Sequence, residues 1–374
     1  MKIEFYRHNI GEEEKKKVLE CLDGIFLTTG SYVAEFEKNF SAYLDLKHAV
    51  GLTSCTAALH LSLLALGIGN GDEVITTPLT FIATATAIMQ AGAKPVFVDV
   101  RRDTGLIDHE KIENAITGRT RAIIPVHLYG QMCDMEKIRT VADKYNLKII
   151  EDSAHCIEGK RDGIGPGMLG DAACFSFYAT KSITSGEGGA LATNNKKLAE
   201  KVTVLRQHGM SREAADRYSG VYEHWDMVEF GWKYNMDNIQ AALLLPQLER
   251  IDILWDKRKK LYNKYIELLK NVPGITYPGI ERESKSAYHM FTVWVGKDKR
   301  DYALRKLGEN GIGVAVNYRA IHLLTYFRKH FGYKRGDFPV AEEIGDMTIS
   351  LPFWIGLKDR EARKIVEILK QVIS

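Results

Sequence analysis

Several protein classes are excluded by what this chain has little of. Its five cysteines, Cys21, Cys55, Cys133, Cys156 and Cys174, are odd in number and never fall as C-x-x-C. That pattern argues against a disulfide framework or a zinc site and fits a reducing compartment, so no metal is expected. No uninterrupted apolar run approaches the roughly 20 residues that a membrane helix needs. The opening Met1-Lys-Ile-Glu-Phe5 has no signal-peptide character, so a cytoplasmic location with no membrane partner is expected. An excess of one charge is missing too: 51 basic residues stand against 48 acidic ones, a formal net charge of +3, and the two are interleaved. Nucleic acid therefore finds no basic footprint. No repeat or low-complexity tract interrupts the 374 residues, which suffice for two domains with a substantial core.

What the chain does have is alternation. Short β-rich runs lie at 48–52, 73–77, 95–100, 121–126, 147–151, 172–177 and 189–193, with helical patterns near 55–67, 80–91, 134–145 and 196–207 between many of them. This order predicts an α/β fold with a mostly parallel central sheet sandwiched by helices. Ligands in such sheets sit beyond the carboxyl ends of the strands. A helix over 11–23 carries Glu12–Glu14 ahead of Lys15–Lys17, charges that suit its dipole. A long helical stretch, about 237–270, leads into a strand at 290–296 and a helix at 301–310. The expected division is a large domain, 1–245, which includes the N-terminal helical segment, and a smaller α+β domain, 246–374.

Three segments carry chemistry. Lys148-Ile-Ile-Glu-Asp-Ser-Ala-His155 is an apolar strand that ends in Asp152. Cys174-Phe-Ser-Phe-Tyr-Ala-Thr-Lys181 is a second strand that places Ser176 before Lys181 and runs on to Gly186-Glu-Gly-Gly189. Gly51-Leu-Thr-Ser-Cys-Thr-Ala-Ala-Leu-His-Leu61 is a strand end opening into a helix. Helix N-termini hold anions, because their first amides are unsatisfied and their dipole is positive there. Simple N-capping by Ser54 or Thr53 would explain that segment alone. Beside Asp152 and Lys181 it reads instead as a phosphate cup. A lysine that forms a Schiff base, a carboxylate that keeps a pyridine nitrogen protonated, and a phosphate cup are what an enzyme using pyridoxal phosphate needs. Gly165-Pro-Gly-Met-Leu-Gly170 matches G-x-G-x-x-G but precedes a strand, not a helix, so it is read as a turn without a cofactor role.

With Gly67 to Thr84, which contains Asp72-Glu-Val-Ile-Thr-Thr-Pro-Leu-Thr-Phe81, these segments resemble the DegT/DnrJ-type nucleotide-sugar aminotransferases, fold-type I enzymes that use pyridoxal phosphate. The resemblance runs from about Thr28 to the C-terminal region, with the motifs in order. It implies that Lys181 links to the cofactor aldehyde, that Asp152 pairs with the pyridine nitrogen, and that Phe81 stacks on the ring. Cys55, Thr56 and Ser176 fall where the family binds the phosphate, and His155 where it meets the ring hydroxyl. Gly231 to Ala242 matches the segment that reaches into a neighbouring subunit, where Asn235 would touch the phosphate. A homodimer with shared active sites is thereby implied. Relatives that remove a sugar hydroxyl carry His in place of this lysine, so Lys181 implies transamination, with glutamate as donor, 2-oxoglutarate as its product and pyridoxamine phosphate as the intermediate cofactor form.

The substrates implied are a nucleotide-sugar and glutamate. Trp232-Lys-Tyr-Asn235 and Asn317-Tyr-Arg-Ala-Ile-His322 resemble the transaminases that make UDP-4-amino-4-deoxy-arabinose, which points to a UDP-linked 4-keto sugar. Many sugar transaminases instead place Asn where Lys233 stands and a basic residue where Asn235 stands. Tyr178 stands where relatives commonly have His, and Ser182 where they have Asn, which leaves the stereochemistry of the acceptor open. Tyr178, Lys233, Arg319 and His322 are the candidate substrate contacts. The last two read equally well as polar groups of a loop. Alternatives are a dTDP- or GDP-linked 3- or 4-keto deoxysugar, a related enzyme acting on amino acids, and a non-catalytic regulator that binds the cofactor.

Overall fold

The computed structural model describes residues 2–212 and 224–373. Its central sheet has seven strands: β1 (His48–Leu52), β2 (Glu73–Thr76), β3 (Lys94–Phe97), β4 (Thr120–Ile123), β5 (Lys148–Asp152), then β7 (Ala172–Ser176) and β8 (Gly189–Thr193). A short β6 (Lys160–Arg161) stands apart and pairs with Ser284–Lys285. The sheet order is β1-β8-β7-β5-β4-β2-β3. Five neighbouring strands, β7, β5, β4, β2 and β3, run parallel. β8 runs against β7 and β1 on either side of it. The predicted parallel, helix-covered sheet is therefore present, and its strands are shorter by one to three residues at several carboxyl ends. There the chain leaves the ladder to build loops.

Helices cover both faces. α1 (Glu12–Leu22) and α2 (Ser31–Tyr43) precede the sheet, and α3 (Cys55–Ala65) and α4 (Ile82–Gln90) follow β1 and β2. α3 is buried on almost every side, which its run of Ala and Leu permits. One core cluster gathers α3 against β1, β5, β7 and β8, and a second lies over Ile75, Ile123 and Ile149. The Gly165–Gly170 stretch is a turn entering β7, as read from sequence: Gly167 N–H donates to Glu151 at 3.0 Å.

The helical stretch over 237–270 is two helices, Asn238–Glu249 and Ile251–Leu269, parted at Arg250, whose φ and ψ of −110° and 17° leave the helical region. Arg250 at this joint pairs with Glu14 of α1 at 2.7 Å. Beyond it, Phe291–Val295 pairs with Ile275–Thr276 and Thr348–Leu351 in a small antiparallel sheet. The helices Lys297–Glu309 and Asp359–Ile373 close a third core around Tyr265 and Phe291, and Ile3 joins it. Among the described residues, no helix is long and apolar enough to cross a membrane.

Candidate active site

The parallel strands end along one edge, and the functional side chains lie there. Asp152 is the last residue of β5 and is buried. Thr84 Oγ1, in the first turn of α4, donates to Asp152 Oδ2 at 2.7 Å, and the Ala154 amide donates to Oδ1 at 3.2 Å. Burial pushes the Asp152 carboxyl above its ordinary pKa, while Thr84, the Ala154 amide and the charge of Lys181 pull the other way. Lys181 ends a turn after β7, its amide donating to Tyr178 O at 2.8 Å and its carbonyl accepting from Tyr6 Oη at 3.2 Å. Burial lowers its amine to about 8, against the opposing effects of Cys55 and Asp152. An amine at that value keeps a reactive neutral fraction near neutrality.

At the same edge β1 gives way to α3. Ser54 Oγ accepts from the Ala57 amide at 3.0 Å, so the capping reading holds. The amides of Cys55 and Thr56, at the first two helical positions, still lack an intrahelical acceptor. β8 begins directly against this turn. A Cβ on Gly189 would lie 2.2 Å from the Ser54 carbonyl carbon and 2.4 Å from the Cys55 nitrogen, so only glycine permits the approach. Cys55 is buried and its thiol is held well above its ordinary value, chiefly by that burial.

Between these groups is a cavity of about 630 Å³. Cys55, Thr56, Phe81, Asp152, His155, Ser176, Tyr178 and Lys181 all line it. Phe81 is 55% exposed, an apolar ring left open at the wall. His155 accepts from the Tyr129 amide at 3.4 Å and lies 3.1 Å from the Tyr318 hydroxyl. Its ring lies 4.3 Å from that of His289, tilted by 32°. An enclosed amine, a buried carboxylate, an open aromatic face and a helix N-terminus around one cavity fit a phosphorylated pyridine aldehyde.

The profile of the DegT/DnrJ/EryC1/StrS aminotransferase family matches residues 8–370. The chain belongs to this family. Spore coat polysaccharide biosynthesis protein SpsC of Bacillus subtilis is 41% identical to it over 371 residues, 98% of this chain and 95% of that protein. GDP-perosamine synthase of Caulobacter vibrioides is 38% identical over 365 residues, 96% of this chain and 95% of that one. The pyridoxal-phosphate form of Spr1654 from Streptococcus pneumoniae superposes with a TM-score of 0.93 at 30% identity, covering 100% of this chain and 98% of its own. This member of the DegT/DnrJ/EryC1/StrS family is an aminotransferase, and its cofactor is pyridoxal phosphate.

Four sequence-selected residues lie elsewhere. Asn235 donates to Thr29 Oγ1 at 2.7 Å and accepts from Lys233 Nζ at 2.6 Å, outside the cavity of its own chain. Arg319 is exposed and does not line it either. His322 needs correction as a substrate contact: its side chain is fully buried, with Nε2 3.0 Å from Glu342 Oε1 and the ring against Phe338. A histidine packed in this way is part of the interior. Sequence reasoning missed Thr84, which holds Asp152, and Tyr318, which lines the cavity. Thr84 stood three residues after Phe81, one helical turn on, a spacing that could have found it. Tyr318 lies inside the Asn317–His322 motif, from which sequence reasoning selects Arg319 and His322 instead.

Proposed function

We propose that this enzyme transfers the amino group of glutamate to a nucleotide-linked keto-sugar, as a cytoplasmic homodimer with shared active sites, for surface polysaccharide or related glycan synthesis. The observation that carries the reading is Lys181, with its amine lowered to about 8, in one cavity with Asp152 and the α3 N-terminus. The cavity volume of about 630 Å³ suits a cofactor and a small substrate together. Bound pyridoxal phosphate supplies an aldehyde that links to an amine and a ring that takes up the electron pair left when a carbon loses its proton.

The side chains divide the remaining work. Lys181, with its lowered amine, would be the group that links to the cofactor aldehyde, and its free amine would take a proton from the donor's α-carbon and return it one position away, as a general base and then acid. Asp152 keeps a negative charge at the ring nitrogen, and Thr84 fixes its direction. The Cys55 and Thr56 amides and the Ser176 hydroxyl would hold the phosphate, Phe81 would cover one ring face and His155 would stand at the ring oxygen. Asn235 of a second copy completes the phosphate contacts. Tyr178, at the cavity wall, would face the sugar-nucleotide, and Lys233 and Arg319, which lie outside the cavity of their own chain, are proposed as its outer contacts. The two structural units are taken as residues 1–245 and 246–374.

The acceptor is proposed to be a UDP-linked 4-keto sugar, on the Trp232-Lys-Tyr-Asn235 and Asn317–His322 motifs. Similarity to GDP-perosamine synthase favours a second reading, a GDP-linked acceptor. One experiment separates them. Protein loaded with pyridoxal phosphate should show a visible absorption band that glutamate bleaches. The bleached protein is then offered UDP-, GDP- and dTDP-linked 4-keto sugars, and the acceptor is the one that restores the band. Lys181→Ala should show neither band nor turnover. Amino exchange between two amino acid and keto acid pairs, with no response to any nucleotide-sugar, would overturn the reading.

A further inference from the structure

A hydrogen-bond chain in the cavity wall ends on the Tyr318 hydroxyl. The Tyr129 amide donates to His155 Nδ1. A ring nitrogen that accepts carries no proton, and the His155 ring is neutral, its pKa driven well below the ordinary value by burial and then by Lys181 and His289. The single proton of the imidazole is therefore on Nε2, 3.1 Å from the Tyr318 hydroxyl, which must accept it. The Asn317 side chain also hydrogen-bonds that hydroxyl. Its O–H has to point away from His155, and Tyr318 lines the cavity with Lys181 and Asp152.

The ring is held in place. Tyr129 Oη donates to Asn317 O at 2.7 Å, which pins the segment. The Tyr318 ring lies 5.9 Å from His155 at an interplanar angle of 19°, and 5.9 Å from Phe81 at 43°. Burial, with the nearby charge of Asp152 adding to it, holds the phenol above its ordinary pKa and so protonated.

We propose that Tyr318 is a further catalytic residue, whose O–H donates a hydrogen bond to an anionic or carbonyl oxygen bound beside Lys181. Resting on the reading given above and revising it at one point, this makes His155 a positioning residue: its one ring proton holds Tyr318, and Tyr318, not His155, donates to the ligand oxygen. That oxygen belongs either to the cofactor ring or to the carbonyl of the keto-sugar, and donation stabilises whichever bears negative charge.

Tyr318→Phe tests this, since it keeps the ring and removes only the O–H. Thermal melting of the variant checks that the fold is retained. The loaded protein, without substrate, is titrated against pH and followed by absorption. A donor on the ring oxygen disperses its charge and lowers the pKa of the neighbouring protonated nitrogen, so Tyr318→Phe should raise the absorbance midpoint by about one pH unit. An unmoved midpoint with an unchanged glutamate bleaching rate, but a KM for the keto-sugar raised roughly tenfold, supports the proposal with the substrate's oxygen as partner. A variant matching the parent in midpoint and in that KM overturns it. Failure of the underlying functional reading looks different, because the parent protein itself would then show no band.

Discussion

Lys181 owes its reactivity to enclosure more than to any partner. Burial is the largest influence on its amine, and Cys55 and Asp152 only moderate it. The sign of the pH dependence follows. The neutral form attacks the aldehyde, and its fraction grows as pH rises through about 8. Stopped-flow capture of pyridoxal phosphate by the apoprotein should therefore accelerate from pH 6.5 to 9 and level off above, at about ten times the rate at a pH one unit below the midpoint. A rate that does not change over that range would mean that the amine is not so lowered. His322 shows the opposite case at the same scale. In sequence it is a polar residue in a loop. In the fold its partner Glu342 lies 20 positions away, and only that contact reveals it as interior.

At the level of elements, the site depends on β8 starting against the first turn of α3. The Gly189 position sets that distance, so Gly189→Ala should force the two apart, costing about 1–3 kcal/mol in stability. It should also weaken cofactor binding roughly tenfold, because the amides of Cys55 and Thr56 move with the turn. Gly118→Ala, where a Cβ meets nothing within 4 Å, is the control. Melting temperature and a cofactor titration read both effects. A lower melting point with unchanged cofactor affinity would remove the α3 N-terminus from the phosphate role. Much of this architecture was legible in the sequence: apolar runs of strand length, ended by Asp152 or by Ser54, mark where the sheet stops and chemistry starts. The reversed direction of β8 was not legible, because an apolar strand reads the same either way. The break at Arg250 was hidden by unbroken helical periodicity. Tyr318 escaped because its place is made by Tyr129, 188 positions from the Asn317 carbonyl that it holds.

The whole molecule carries surface that one chain leaves uncovered. Ile25 is 90% exposed and Phe230 69%, with Leu22, Leu27, Met227 and Val228 also open. In the proposed dimer these side chains would be covered. The Leu27 carbonyl accepts from the Asn238 amide, and residues 227–230 precede Trp232 to Asn235, so these side chains flank the segment that contains Asn235. A two-fold pairing through that surface would set Asn235 of one copy at the cavity of the other. Complementation decides it. Lys181→Ala and Asn235→Asp are each expected to be inactive, the second because a carboxylate replaces the phosphate contact while preserving shape. When the two are co-expressed, random pairing makes about half of the dimers mixed, and each mixed dimer has one site with both native residues. Activity near a quarter of the parent's should return, and it should depend on association, falling on dilution below the dimer's dissociation constant. If each chain serves only its own site, no mixture of the two variants recovers any activity, and the shared-site dimer is wrong.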